Sequence, residues 1–120
     1  MRRAIRGVIL FSLSARISGH LCGRFQAAVD LIGKRWTPLI LQQLLEGPRR
    51  YSELAEVLDV MSQKMLTERL KELEAAEMVE RRVHPGQPVR VDYHLTSKGK
   101  ALGRVISGLE RWAEQWMPLP

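Results

Sequence analysis

The sequence predicts a mainly α-helical domain with one small β-hairpin inserted before the last helix. Three observations carry that expectation. From Phe25 onward, apolar residues recur at spacings of three and four through several stretches. Between Val79 and Leu95 the period changes to two, on either side of the turn His84-Pro85-Gly86-Gln87-Pro88. After Thr96 the three–four spacing resumes and holds for more than three turns.

The elements follow in order. Phe25, Ala28, Val29 and Ile32 mark a first helix that Gly33 ends. Thr37-Pro38 reads as a cap followed by a first-turn proline. The helix after it buries Leu39, Ile40 and Leu44, with Leu41 and Leu45 beside them, and stops at Gly47-Pro48. Ser52 is expected to cap a short third helix with Leu54, Ala55 and Leu58 facing inward. Asp59, Val60 and Met61 form a turn, and Ser62 caps a fourth helix running to about Ala76. In the hairpin, Val79, Arg81 and Val83 alternate with Glu80, Arg82 and His84. On the return strand, Val89, Val91, Tyr93 and Leu95 alternate with Arg90, Asp92 and His94. Thr96 caps the last helix. Helix, turn, helix, ribbon is the order of a winged helix-turn-helix DNA reader.

The chain has 120 residues, enough for one domain with one core. Its net charge is +6, but Arg2, Arg3, Arg6 and Arg16 lie in an acid-free stretch, residues 1–21. Without those four, 15 basic residues face 13 acidic ones. Net charge alone is therefore weak support for a nucleic-acid partner, and placement has to carry the case. Residues 1–21 imitate a secretion signal, with arginines ahead of GVILFSL. The apolar core from Val8 to Leu13 is short and Arg16 follows closely, so an N-terminal extension outside the domain 22–117 is the expectation. No run approaches the roughly 18 apolar residues of a membrane span. One cysteine rules out an intrachain disulfide framework and fits a reducing cytoplasm.

The fourth helix has the chemistry of a recognition helix. Leu66, Leu70 and Leu73 form its inward stripe. With Leu66 at 0° and about 100° per residue, Lys64 falls near 160°, Lys71 near 140° and Thr67 near 100°. Ser62, Gln63, Lys64 and Thr67 occupy the first turn and a half, where base edges are met. Glutamine pairs with adenine, lysine reaches guanine or phosphate, and a threonine methyl meets a thymine methyl. Arg49 and Arg50, with the Ser52 end of the third helix, are placed for backbone phosphate. Arg90, and Arg82 beside His84, are placed for the wing's contact with a narrow minor groove. Tyr51 reads as core. A solvated amphipathic helix is the plain alternative, and the order of elements argues against it.

Five blocks then resemble one known family: LIGKRWTPLIL (31–41), EGPRRYSEL (46–54), SQKMLTERLKELE (62–74), MVERRVHP (78–85) and VDYHLTSKGKAL (91–102). They are similar, in order and spacing, to the HxlR-type winged-helix transcriptional regulators, relatives of the MarR group. The resemblance spans roughly 22–116 and implies a homodimeric repressor of a pseudo-palindromic operator on double-stranded DNA. It implies packing of the first and last helices across a two-fold axis. The expected interface is Phe25 and Val29 with Leu102, Val105, Ile106, Leu109, Trp112 and Trp116, and the long apolar stripe of the last helix agrees with it.

The family also often carries a cysteine shortly before the LIG-K-W block, and Cys22 occupies that place. The resemblance is to the subgroup that senses oxidants, quinones or aldehydes through this thiol, although Cys22-Gly23 replaces the usual Cys-Pro. A reactive thiol needs a lowered pKa and access to solvent. With no second cysteine in the chain, a disulfide joins Cys22 to the partner copy or to a small thiol. A buried, inert cysteine is the alternative.

Nothing suggests an enzyme. His20, His84 and His94 look scattered, without metal-ligand spacing beside Cys22, and no phosphate loop or nucleophile elbow is present. No metal and no cofactor are expected. Three readings stay open: a DNA reader switched at Cys22, the same reader switched by a non-covalent small ligand, and a winged-helix protein-interaction module without DNA.

Overall fold

A computed structural model describes residues 21–120. The expected extension 1–21 therefore lies outside the described residues except for Leu21, as does His20. The chain divides into two units, before and after the Lys34–Arg35 bond. In the first, α1 spans Leu21–Ile32 and Gly33 donates its N–H to the Val29 carbonyl at 2.7 Å, closing the last turn. Phe25 and Val29 are exposed on it. Cys22 lies in α1, but its side chain is outside the described part.

The second unit contains α2 (Thr37–Leu45), β1 (Arg49–Arg50), α3 (Tyr51–Val57), α4 (Gln63–Ala75), β2 (Val79–His84), β3 (Arg90–Leu95) and α5 (Ser97–Trp116). The three strands form an antiparallel sheet in the order β1-β3-β2. Ile40, Leu41, Leu54, Leu66, Leu70, Leu73 and Met78 make the core, each no more than 2 % exposed. At roughly 1.5–3 kcal/mol for each such side chain removed from water, these residues hold the helices together.

Two expected caps are moved by the structure. Thr37 is not the cap of α2 but its first residue, buried against the core, and Trp36 takes the cap position with φ at 78°. A bulky residue costs about 1–3 kcal/mol in that region. Its place is fixed by the Ile40 N–H bonding its carbonyl at 3.1 Å, while the Arg35 guanidinium stands over its ring at 4.7 Å. Ser52 does not cap α3. Arg50 does, and the Glu53 carboxylate reaches back to accept from the Arg50 N–H at 2.8 Å. Ser62 and Thr96 cap as expected, accepting from the N–H groups of Met65 at 3.1 Å and Gly99 at 3.0 Å.

α4 ends at the expected place through a left-handed Glu77, with φ at 59°, and a bond from Met78 N–H back to the Leu73 carbonyl at 2.9 Å. The hairpin buries less than simple alternation predicts. Only its base, at Val79, Tyr93 and Leu95, reaches the core, and Val83 and Val89 are exposed. Beyond that base the two strands are mostly exposed. Pairing of Arg49 with Tyr93 and Arg50 with Asp92 makes β1, a strand that two residues could not announce in the sequence.

α5 packs closely on the chain entering β2 and on α2. The inner face of its first turn is Gly99, packed on the Met78 backbone, and Gly103 receives Leu45 of α2. Ile106, expected at a dimer interface, is only 4 % exposed and packs on the chain's own core, with Leu102 half-buried beside it. Val105, Leu109, Trp112 and Trp116 are each more than half exposed and form the outer stripe.

Candidate nucleic-acid interface

Three elements of the second unit build the surface: the entry to α3, the first turns of α4, and the hairpin. Leu66, Leu70 and Leu73 anchor α4 inward, which leaves Ser62, Gln63, Lys64, Glu68 and Lys71 exposed on its other side. The outward face is thus the one the helical angles predict. The α3–α4 turn is tied by Leu58 N–H to the Leu54 carbonyl at 2.8 Å and Met61 N–H to the Leu58 carbonyl at 3.2 Å, and Leu58 is buried.

Tyr51 does more than fill core. It is half-buried, and its hydroxyl donates to the Gln63 carbonyl at 3.0 Å. A phenol has one proton, so the 3.0 Å contact with Thr67 Oγ1 is then a bond that Thr67 donates. This clasp fixes the first turn of α4 against the start of α3. Thr67, expected to meet a base through its methyl, has its hydroxyl engaged by Tyr51. Arg69 supplies a second brace that the sequence did not reveal. Its Nε donates to the Arg35 carbonyl at 2.9 Å, and its Nη1 lies 3.1 Å from both oxygens of Glu72.

The expected phosphate contacts divide. Arg50 and Ser52 are exposed. Arg49 is largely engaged: Nη2 pairs with Glu46 at 2.9 Å, and its Nε is buried. On the wing, Arg90 is exposed near the turn, and Arg82 Nε pairs with Glu80 at 2.7 Å. A half-exposed pair of this kind contributes under about 1 kcal/mol, too little to keep Arg82 from a phosphate. Lys71 and Glu74 of α4 face Arg81, Val91 and Tyr93 across an open groove between helix and sheet.

His84 and His94 are not scattered. The hairpin register pairs His84 with Arg90, Arg82 with Asp92 and Glu80 with His94, which puts all six on one face. Asp92 Oδ1 lies 2.9 Å from His84 Nε2 and 3.2 Å from His94 Nε2. An ionised carboxylate only accepts, so both imidazoles donate from Nε2. Burial acts to raise the Asp92 pKa. The two imidazole hydrogen bonds, aided by the charge of the rings, overcome it and hold Asp92 below the usual carboxylate range. No sequence spacing announces this cluster, because residues 84 and 92 meet only through the register of the hairpin.

A capped helix with an outward polar face, braced behind by a shorter helix and flanked by a two-stranded arm, defines a winged helix-turn-helix DNA-binding regulator. Residues 31–119 match the model of the HxlR-like helix-turn-helix family, and the chain belongs to that family. It is 49% identical over 96 residues to the HTH-type transcriptional regulator YodB of Bacillus subtilis, which covers 80% of this chain and 86% of that protein. The reduced form of YodB superposes with a TM-score of 0.71 over 78% of this chain and 92% of the other, at 49% identity. The diamide-treated form gives 0.68 over 80% and 95%, at 48% identity, and the quinone-bound form 0.67 over 78% and 97%, at 46%. The chain is thus a transcriptional regulator of helix-turn-helix type. Among the described residues, no helix is long and apolar enough to cross a membrane.

Proposed function

We propose that the chain is a repressor that reads a pseudo-palindromic operator as a homodimer and releases it when oxidants or electrophiles modify Cys22. The observation that carries the DNA reading is α4 itself. Its apolar side is fully buried, its first turn is clasped by Tyr51, and Gln63, Lys64 and Lys71 are left exposed. Gln63 reads bases, Lys64, Arg50, Ser52 and Ser62 meet phosphate, and Arg82 and Arg90 carry the wing against the phosphates that wall the minor groove. The acting domain is 22–117.

The exposed stripe Val105, Leu109, Trp112 and Trp116 supports the dimer, with Phe25 and Val29 as its counterpart on α1. Support for the switch is the likeness to a regulator whose solved forms include diamide-treated and quinone-bound states. Because the chain has one cysteine, oxidation joins Cys22 thiols of two chains, or one Cys22 with a small thiol, with two electrons passing to the oxidant. A quinone instead alkylates the thiolate. Either change shifts the two recognition helices from the roughly 34 Å spacing of successive major grooves.

The test is binding of DNA from the chain's own promoter region, before and after treatment with diamide or benzoquinone. Wild type should lose affinity by about 5–150-fold, the range of an ordinary coupling between two sites. Cys22→Ser should bind equally well and keep its affinity under both treatments. Equal release of the variant defeats the thiol switch; no preference of the untreated protein for any promoter sequence defeats the DNA reading.

A further inference from the structure

The wing holds a chemically distinct cluster that DNA reading does not use. Two imidazoles and one carboxylate converge on one face of the hairpin, and their ligand atoms all lie within 4.8 Å of one another. Asp92 is part-buried and directly opposite Arg82 across the strands, yet Arg82 pairs with Glu80, leaving the Asp92 carboxylate to His84 and His94. A basic hairpin needs no such carboxylate to meet a phosphate. An acid held between two imidazoles on a DNA-facing arm works against the arm's charge unless a cation neutralises it.

We propose that His84, Asp92 and His94 form a binding site for one divalent transition-metal ion of the zinc class. Ligands about 2.0–2.1 Å from a tetrahedral ion stand roughly 3.4 Å from one another. The two edges to Asp92, at 2.9 and 3.2 Å, are already close to that length. The His84–His94 edge, at most 4.8 Å, closes by rotation of the His84 ring, which is 45 % exposed. On binding, each ring gives up the Nε2 proton that it donates to Asp92, to solvent or to its own Nδ1, so that the Nε2 lone pair ligates the ion and Nδ1 carries the proton. Two nitrogens and one carboxylate oxygen select zinc, cobalt or nickel over magnesium and calcium, whose sites are built from oxygen. Water completes the coordination. The ion joins β2 to β3, tying the outer His84 to His94 at the base of the hairpin, and replaces a negative centre with a positive one beside Arg82 and Arg90. The gain for DNA binding rests on the wing reading given above; metal binding itself does not.

The site is tested on the full chain, stripped of metal and titrated with cobalt chloride without DNA. One cobalt ion per chain should bind, with the visible bands of a four- or five-coordinate centre, and zinc should displace it. H94A and D92N should each weaken cobalt binding by at least about a hundredfold, beyond the roughly 10–100-fold of an outer-shell change. C22S should bind as wild type does. His84 sits at the exposed end of the hairpin, so H84A keeps the fold and supplies a variant free of folding effects. No cobalt bound by wild type, or undiminished binding by an H84A/H94A double variant, overturns the site. With DNA present, zinc should tighten binding by wild type and leave the double variant unchanged. Zinc bound with DNA affinity unaltered overturns the coupling to DNA, whereas loss of DNA binding with or without zinc counts against the wing reading instead.

Discussion

Replacing Gly99 by alanine should destabilise the protein by about 2 kcal/mol. A Cβ at this position falls deep inside contact distance of the Met78 carbonyl oxygen, and lies 3.1 Å from the Met78 carbonyl carbon and 3.0 Å from Leu95 Cδ2. Backbone cannot swing aside as a side chain can. The same carbonyl also accepts from the Thr96 N–H at 3.1 Å, so any retreat stretches the bond that sets up the α5 cap. Overpacking of this kind costs about 1–3 kcal/mol, and here the upper end applies. Alanine's better helix propensity offsets at most about 1 kcal/mol of it. The melting temperature should fall by roughly 8–16 °C. Gly108→Ala on the same helix is the control: its nearest neighbour is the flexible Arg111 guanidinium at 3.7 Å, and stability should hold or rise slightly. Thermal unfolding of the two variants side by side checks both expectations.

The second large effect is on DNA. Lys64→Ala and Arg90→Ala should each weaken binding about tenfold, on the scale of one charge-assisted hydrogen bond. Both residues are exposed, one on the first turn of α4 and the other on the wing, so neither substitution disturbs the core. Together they should lower the slope of log affinity against log salt by about 2, since each neutralised phosphate contributes about 0.9. Arg104→Ala, removing an equal charge from the exposed side of α5, should change little. Binding isotherms at several salt concentrations give these slopes directly.

What could be read from the sequence was local. Ser62 and Thr96 announce their helices because a hydroxyl cap works on an N–H three residues away. Leu66, Leu70 and Leu73 declare the buried side of α4 by period alone. The features that escaped depend on contacts distant along the chain or on backbone geometry. Trp36 is a cap without a capping side chain, and α3 is capped through Glu53 reaching backwards to Arg50. β1 exists because β3 offers it an edge. The Tyr51 hydroxyl meets residues 12 and 16 positions away. His84 and Asp92, separated by the turn, become neighbours only when the hairpin pairs. Ile106 and Trp112 belong to one apolar period, and only packing against the core tells the buried side of that helix from its outer stripe.

The central claim is that α4 reads sequence through its first turn. Gln63 is exposed there, and its carbonyl is held by Tyr51, which fixes where the side chain departs from the helix. The most direct measurement is the ratio of affinities for a promoter site and for the same duplex with its bases scrambled, in wild type and in Gln63→Ala. A glutamine–adenine pair carries about 1–3 kcal/mol of discrimination, so the variant's ratio should fall by about tenfold while its affinity for the scrambled duplex stays the same. A ratio unchanged by the substitution, or one that is already unity in wild type, would contradict it.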